Sequence, residues 1–324
     1  MSTRYVQPLR TLVQTAFLVG MGWTCVSFYR FVEYYRSGSQ LHRVPRPESI
    51  EAFLPVSGLL GLTAWLKGAG FTDIHPAAVV ILVTVIAGSL LLRRSFCSWI
   101  CPVATLSEWA WQRGFSLFRR NVRLPSVPDR VFRGIKYLLL AFFLYSIMWA
   151  MPPDGLEHFI NSDYHKLADV RLLDFFLRIS PPVLAAVLLL AAASVVLRNP
   201  FCRYLCPYGA LLGLAAFLSP FRVTRSRERC VSCGVCSQVC PTYIDVMHCT
   251  SVSSPECIGC WRCISYCRVH TALSMRFIGR YAVPGLVFAL LVVLFFRGGP
   301  LAGERAGHWR TSLTDTDYRR LLGK

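Results

Sequence analysis

The run Cys230-x2-Cys233-x2-Cys236-x3-Cys240-Pro241 is followed, after a spacer, by Cys257-x2-Cys260-x2-Cys263-x3-Cys267. Thiolates are soft ligands, and a doubled x2-x2-x3 run is the spacing that grips a pair of cubane iron–sulfur clusters. The first three cysteines of each run wrap one cage from a tight loop. The fourth lies on the next turn and points the other way. Cluster I then takes Cys230, Cys233, Cys236 and Cys267, and cluster II takes Cys257, Cys260, Cys263 and Cys240. Zinc and disulfides fit less well. Zinc asks for two ligand pairs per metal and gives no reason for a repeated triplet, and disulfides need an oxidising compartment.

Four more cysteines stand in a different pattern. Leu92-Arg93-Arg94-Ser95-Phe96-Cys97-Ser98-Trp99-Ile100-Cys101-Pro102 and Leu197-Arg198-Asn199-Pro200-Phe201-Cys202-Arg203-Tyr204-Leu205-Cys206-Pro207 share an Arg, a Phe, both cysteines and the closing proline at constant offset. The apolar runs before them also open on equivalent prolines, Pro76 and Pro181. Positions i and i+4 share a helix face, so Cys97/Cys101 and Cys202/Cys206 can converge across a pseudo-axis. Three readings stay open: ligands of a third cluster, a redox-active thiol set, or a structural motif.

The elements that must position these thiols are apolar. Of 324 residues, 54% are hydrophobic and only 16% charged, with a mean hydropathy of +0.45, which is too greasy for an ordinary soluble chain. Five runs approach spanning length: about 12–31, 77–92, 135–151, 181–197 and 281–296. Arg4 and Arg10 precede the first run and no small-x-small cleavage site follows it, so it reads as an uncleaved anchor.

Bases set the orientation. The segment between runs two and three carries Arg93, Arg94, Arg113, Arg119, Arg120 and Arg123, and the one between runs four and five carries Arg198, Arg203, Arg222, Arg225, Arg227 and Arg229. The 152–180 loop is instead acidic, with Asp154, Glu157, Asp163, Asp169 and Asp174. By the positive-inside rule the two basic segments are cytoplasmic, along with the N-terminus, and the C-terminus is periplasmic. The net charge of +18 is then a topology signal, and nucleic-acid binding need not be invoked. Cytoplasmic placement also keeps the thiols reduced. Runs two and four both cross from outside to inside, which makes the repeat a parallel one.

Several residues carry lesser expectations. Residues 53–66 read as an interfacial or re-entrant segment that either lines a quinone pocket or caps the bundle. His75, His158, Tyr164 and His165 are candidates for haem or quinone contact, against the plainer reading of solvated loop residues. Trp109 and Trp111 suit the membrane interface or simple packing. His248 and His270 read as fold residues, Cys25 and Cys249 as spare buried thiols, and the tail 297–324 shows no recognisable site. Arg268 stands where the first run has Pro241, and a cation beside Cys267 favours the reduced state of its cluster.

The order span, span-Cys-x3-Cys-Pro, span, span-Cys-x3-Cys-Pro, twin four-cysteine motifs resembles the polyferredoxin membrane proteins of the NapH/NosR type. Residues 96–102, 201–207 and the eight cysteines from Cys230 to Cys267 carry the resemblance, which covers roughly 75–275. It implies electron transfer between membrane quinol and a periplasmic redox system, with clusters on the inner face; the expected partners are membrane lipid, quinol or quinone, and another redox protein or complex subunit. The chain departs from the pattern in its fifth span, its outer tail, Arg268 and the lack of a periplasmic flavin-binding domain.

Together these readings predict a membrane all-α fold, a five-helix transmembrane bundle with an internal parallel repeat, plus a small α+β bacterial di-cluster ferredoxin-like domain. Residues 1–220 would form the membrane domain, 221–280 the cytoplasmic ferredoxin-like domain, and 281–324 the fifth span and outer tail. The expected cofactors are two [4Fe-4S] clusters, with a third at Cys97/Cys101/Cys202/Cys206 as the open case and quinone as the exchanging substrate. No acid–base pair or nucleophile stands out, so the only bond-making chemistry expected is quinol oxidation, in the bacterial inner membrane. The alternatives are a membrane reductase for copper maturation and a cluster-bearing anchor or redox sensor.

Overall fold

The computed structural model describes residues 5–38, 42–269 and 271–322. The chain is mostly helical and divides into two compact units. One comprises Met1–Leu18, Val85–Leu140 and Ala186–Phe296, the other Val19–Thr84, Ala141–Ala185 and Arg297–Lys324.

Among the described residues three helices are long and apolar enough to cross a membrane: Val6–Arg36, Ser126–Trp149 and Gly285–Arg305. At about 1.5 Å per residue each reaches or exceeds the ~30 Å hydrocarbon core. They expose Leu12, Val19, Trp23, Leu138, Phe142, Leu290 and Leu294, side chains that water would not tolerate in such number. The other two expected runs form shorter helices. Pro76–Leu92 has 17 residues, and Pro181–Val196 follows Ala168–Leu177 through an 82° bend, so that pair counts as one broken span or a re-entrant loop.

The first unit contains the cysteine-rich segment, closed by a three-stranded antiparallel sheet. β1 (Phe221–Arg225) pairs with β2 (Leu273–Phe277), which pairs with β3 (Tyr281–Ala282). The register sets Phe221 opposite Phe277 and Arg225 opposite Leu273, so the two ends of the segment are clasped together. Alternation along β1 and β2 turns Phe221, Val223, Leu273 and Met275 inward. Beneath them Phe288 lies against Trp99, Trp261 and Phe221 at centroid distances of 5.6–6.1 Å. A Cβ on Gly114 would fall 1.8 Å from the Val195 carbonyl oxygen, so only glycine allows the Pro102–Phe118 helix to touch Pro181–Val196 there.

The second unit has its own apolar cores. Phe28, Phe31, Val32 and Tyr35 pack with Ile50, Leu167, Val170 and Tyr318, and Leu60, Ala64, Ile74, Ile147, Leu156 and Ile160 form a second cluster. The 53–66 stretch is the Pro55–Leu66 helix, with Leu60 and Ala64 in that second core. The tail is folded rather than loose. Its Asp315–Leu322 helix buries Tyr318, and Asp315 accepts a 2.7 Å hydrogen bond from the Tyr35 hydroxyl.

Candidate iron–sulfur sites

Two hollows gather the eight thiols of the long motifs in fours. One is lined by Cys240, Cys257, Cys260 and Cys263 with Ile244, Val246 and Ile258. The other is lined by Cys230, Cys233, Cys236 and Cys267 with Val231, Met247 and Leu273. Each fourth cysteine has crossed to the other triplet. The crossing needs sharp turns, and both triplets pass through left-handed residues: Ser232 and Gly234 in one (φ 51° and 72°), Gly259 and Trp261 in the other (φ 60° and 63°). The third cysteines, Cys236 and Cys263, then sit on single helical turns, Val235–Gln238 and Arg262–Ser265.

Burial pushes the Cys260 thiol up to about 12, Cys263 well above its usual range, and Cys240 upward as well. Such thiols surrender their protons when a cation takes their place. Cys230 is the opposite case, lowered by the hydrogen bond from Arg225. Four thiols around each hollow are the donor set that a four-iron cage takes.

The Cys-x3-Cys-Pro motifs bring their own thiols together. In both, the N–H of the second cysteine donates to a phenylalanine carbonyl five residues back, Cys101 to Phe96 at 2.9 Å and Cys206 to Phe201 at 3.0 Å. Each second cysteine is then extended (ψ 121° and 105°) and starts a new helix with proline at its first position. Cys202 lies within electrostatic reach of Cys101, Cys206 and Cys97. Burial, then the neighbouring Cys97, pushes Cys101 up to about 12. Cys206 accepts a backbone hydrogen bond from Gly209 at 3.2 Å.

Both motifs grip the loops that carry the Cys240 hollow. From the first, Arg93 donates to the Ser254 carbonyl at 3.0 Å, Arg94 to Pro255 at 3.1 Å and Trp99 to Gly259 at 3.2 Å, with Ser98 bonding Ile258. From the second, Arg198 donates to the carbonyls of Gln238 and Cys240 at 2.7 and 3.0 Å, and Arg203 bonds Thr242. Buried ion pairs hold the frame. Glu108 is shared by Arg10 and Arg262, Glu256 by Lys136 at 2.6 Å and Arg94 at 3.5 Å, and Asp129 by Arg203 at 2.8 Å and Arg133 at 3.1 Å. Burial alone would raise Glu108 and Glu256, but their cationic partners hold both below the usual carboxylate range.

Comparison with known proteins matches these regions. A family described as "4Fe-4S binding domain" matches residues 74–125 and 179–226, the two Cys-x3-Cys-Pro stretches, and a second family of the same description matches 223–244. The "Putative electron transport protein YccM" of Escherichia coli (strain K12) is 39% identical over 306 residues, covering 93% of this chain and 85% of its own. The chain belongs to the NapH-like polyferredoxin family. Within that family the "Ferredoxin-type protein NapH" of Escherichia coli (strain K12) is 26% identical, covering 65% of this chain and 68% of its own. The "Protein NirI" of Paracoccus denitrificans (strain Pd 1222) is 32% identical over 59% of this chain and 27% of its own. No solved structure matches.

The other residues singled out in this polyferredoxin fall elsewhere. His75 is fully buried, its Nδ1 3.1 Å from Glu51 and its Nε2 2.9 Å from the His165 carbonyl oxygen. Both partners are acceptors, so both nitrogens carry protons and neither has a lone pair for haem iron. His165 is buried beside it, donating from Nδ1 to the Ile160 carbonyl at 3.1 Å and leaving Nε2 without a partner. His158 and Tyr164 are exposed. Trp111 is buried, with the guanidinium groups of Arg198 and Arg262 each 5.0 Å from its ring, and so serves packing. Cys25 and Cys249 are half-buried, Arg268 is exposed, and exposed His248 pairs with Asp245 at 2.6 Å. His270 lies outside the described residues. Sequence reading missed the carboxylates Glu108, Asp129 and Glu256 as the anchors of the frame.

Proposed function

We propose that this chain is an integral-membrane electron carrier that passes electrons between the quinol pool and a redox partner, as a quinol dehydrogenase-like component of a respiratory chain. In this reading Cys230, Cys233, Cys236 and Cys267 hold one [4Fe-4S] cluster, and Cys257, Cys260, Cys263 and Cys240 hold a second. Cys97, Cys101, Cys202 and Cys206 hold a third. Bound clusters supply one-electron transfer at potentials set by burial, charge and hydrogen bonds to sulfur.

The observation that carries the reading is the double grip of the two Cys-x3-Cys-Pro motifs on the loops of the Cys240 hollow. It fastens the membrane-side thiols and the ferredoxin-like thiols into one hydrogen-bonded frame, as successive one-electron sites require. Quinol oxidation releases two protons and two electrons, and one-electron carriers must accept those electrons in turn. The charge asymmetry supports five spans, with 77–92 and 181–197 as a parallel repeat, and a cytoplasmic domain at 221–280.

The test is anaerobic addition of a menaquinol analogue to membrane vesicles, followed by electron paramagnetic resonance. Prompt appearance of reduced-cluster signals is expected. Reduction seen only through added copper, or none at all, would overturn the quinol assignment.

A further inference from the structure

The two long-motif hollows differ in their access to solvent. Cys240 and Cys260 are buried, Cys257 and Cys263 half-buried, and Trp99 and Arg198 from the two Cys-x3-Cys-Pro motifs bond the loops that carry them. In the other hollow Cys233 is exposed, and Val231 on its wall is 65% exposed. Tunnelling falls steeply with distance, so an electron leaves or enters most readily where the thiol cage meets the surface.

That mouth is basic. Arg225 lines the hollow itself, while Arg227, Arg229 and Arg268 are exposed on the segments that carry Cys230 and Cys267. Of the acids nearby, Asp245 is taken up by His248, which leaves exposed Glu228 against this set of arginines. An exposed apolar centre within a ring of one charge is the anatomy of a transient docking site.

We propose that the surface around Val231 and Cys233, framed by Arg227, Arg229 and Arg268, docks an acidic one-electron carrier protein. One electron passes between that carrier and the cluster held by Cys230, Cys233, Cys236 and Cys267, one partner being oxidised as the other is reduced. This rests on the cluster assignment above. The alternative occupant of a basic patch is an anionic lipid surface, but lipid offers no redox centre to an exposed thiol cage.

The probe is a small acidic ferredoxin, titrated against the full-length cluster-loaded protein in neutral detergent, with basic cytochrome c as the control. The acidic ferredoxin should bind, and its affinity should fall as salt rises from low to physiological strength. The triple variant Arg227→Glu, Arg229→Glu, Arg268→Glu should weaken that binding at least tenfold and slow electron exchange equally, with iron content unchanged. Binding to phosphatidylglycerol vesicles is measured on the same variant. Equal binding of both carriers, salt-independent binding, or a variant that loses only vesicle affinity would overturn the proposal. An iron-free wild type would instead overturn the cluster assignment on which it rests.

Discussion

Arg94 donates to the Pro255 carbonyl at 3.1 Å and sits 3.5 Å from the Glu256 carboxylate, one residue before Cys257. The same guanidinium faces Cys97 and Cys202. Its Nη2 is 3.0 Å from the point where a Cβ on Gly209 would stand, a point itself 3.6 Å from the Cys206 sulfur. One buried cation therefore links the Cys-x3-Cys-Pro thiols to the loop that leads into Cys257.

That placement predicts an effect on potential. A positive charge stabilises the reduced, more negative cage, so Arg94→Gln should lower the midpoint of the signal that is lost in Cys202→Ser. The expected shift is roughly 60 mV, a tenfold change for one electron. Arg94→Lys should stay near wild type. Redox titration followed by electron paramagnetic resonance reads both, and an unmoved midpoint in Arg94→Gln would remove the idea.

Arg268 makes a smaller version of the same prediction. It is exposed beside Cys267, so solvent and salt screen it. Arg268→Pro should lower the midpoint of that cluster by less than Arg94→Gln lowers its own, and the shift should shrink at high salt.

Stability is the better probe of Glu108. Arg10 and Glu108 are both buried, and Glu108 also accepts from Arg262 at 3.0 Å and Gln14 at 3.3 Å. Glu108→Ala strands the buried Arg10 guanidinium and takes a partner from half-buried Arg262, at a cost of about 3–5 kcal/mol. Thermal unfolding in detergent should drop sharply, whereas exposed Glu157→Ala should leave it unchanged.

His165 predicts a pH effect. Burial, then the positive charge of His75, lowers it from 6.5 to about 4. A depressed histidine favours the native state while neutral. Its contribution is therefore full above pH 6.5, shrinks as pH falls, and is gone below about 4. The total is about 3 kcal/mol. Unfolding measured from pH 7.5 to 4 should show this loss in wild type and a shallower one in His165→Gln. Parallel curves would contradict it.

Much of this was legible in the residues. The repeated x2-x2-x3 spacing assigned Cys240 and Cys267 across the two triplets, because a fourth cysteine one turn on has to point away from its own loop. Three of the five apolar runs marked membrane-length helices, whereas 17 residues at Pro76–Leu92 and the 82° bend before Pro181 show that composition does not fix how a run is used. The frame was not legible. Ser98, Trp99, Arg198 and Arg203 reach backbone carbonyls, and a carbonyl leaves no mark in a sequence. Tyr318 in the tail and the doubly engaged His75 depend on partners far along the chain. Local spacing carries no information about these.

The most direct test is to count iron and acid-labile sulfide per chain in anaerobically purified protein, alongside Cys202→Ser and Cys263→Ser. The account predicts about twelve irons in wild type, with about four fewer in each single variant. Colourless, iron-free wild type, or zinc in place of iron, would contradict it.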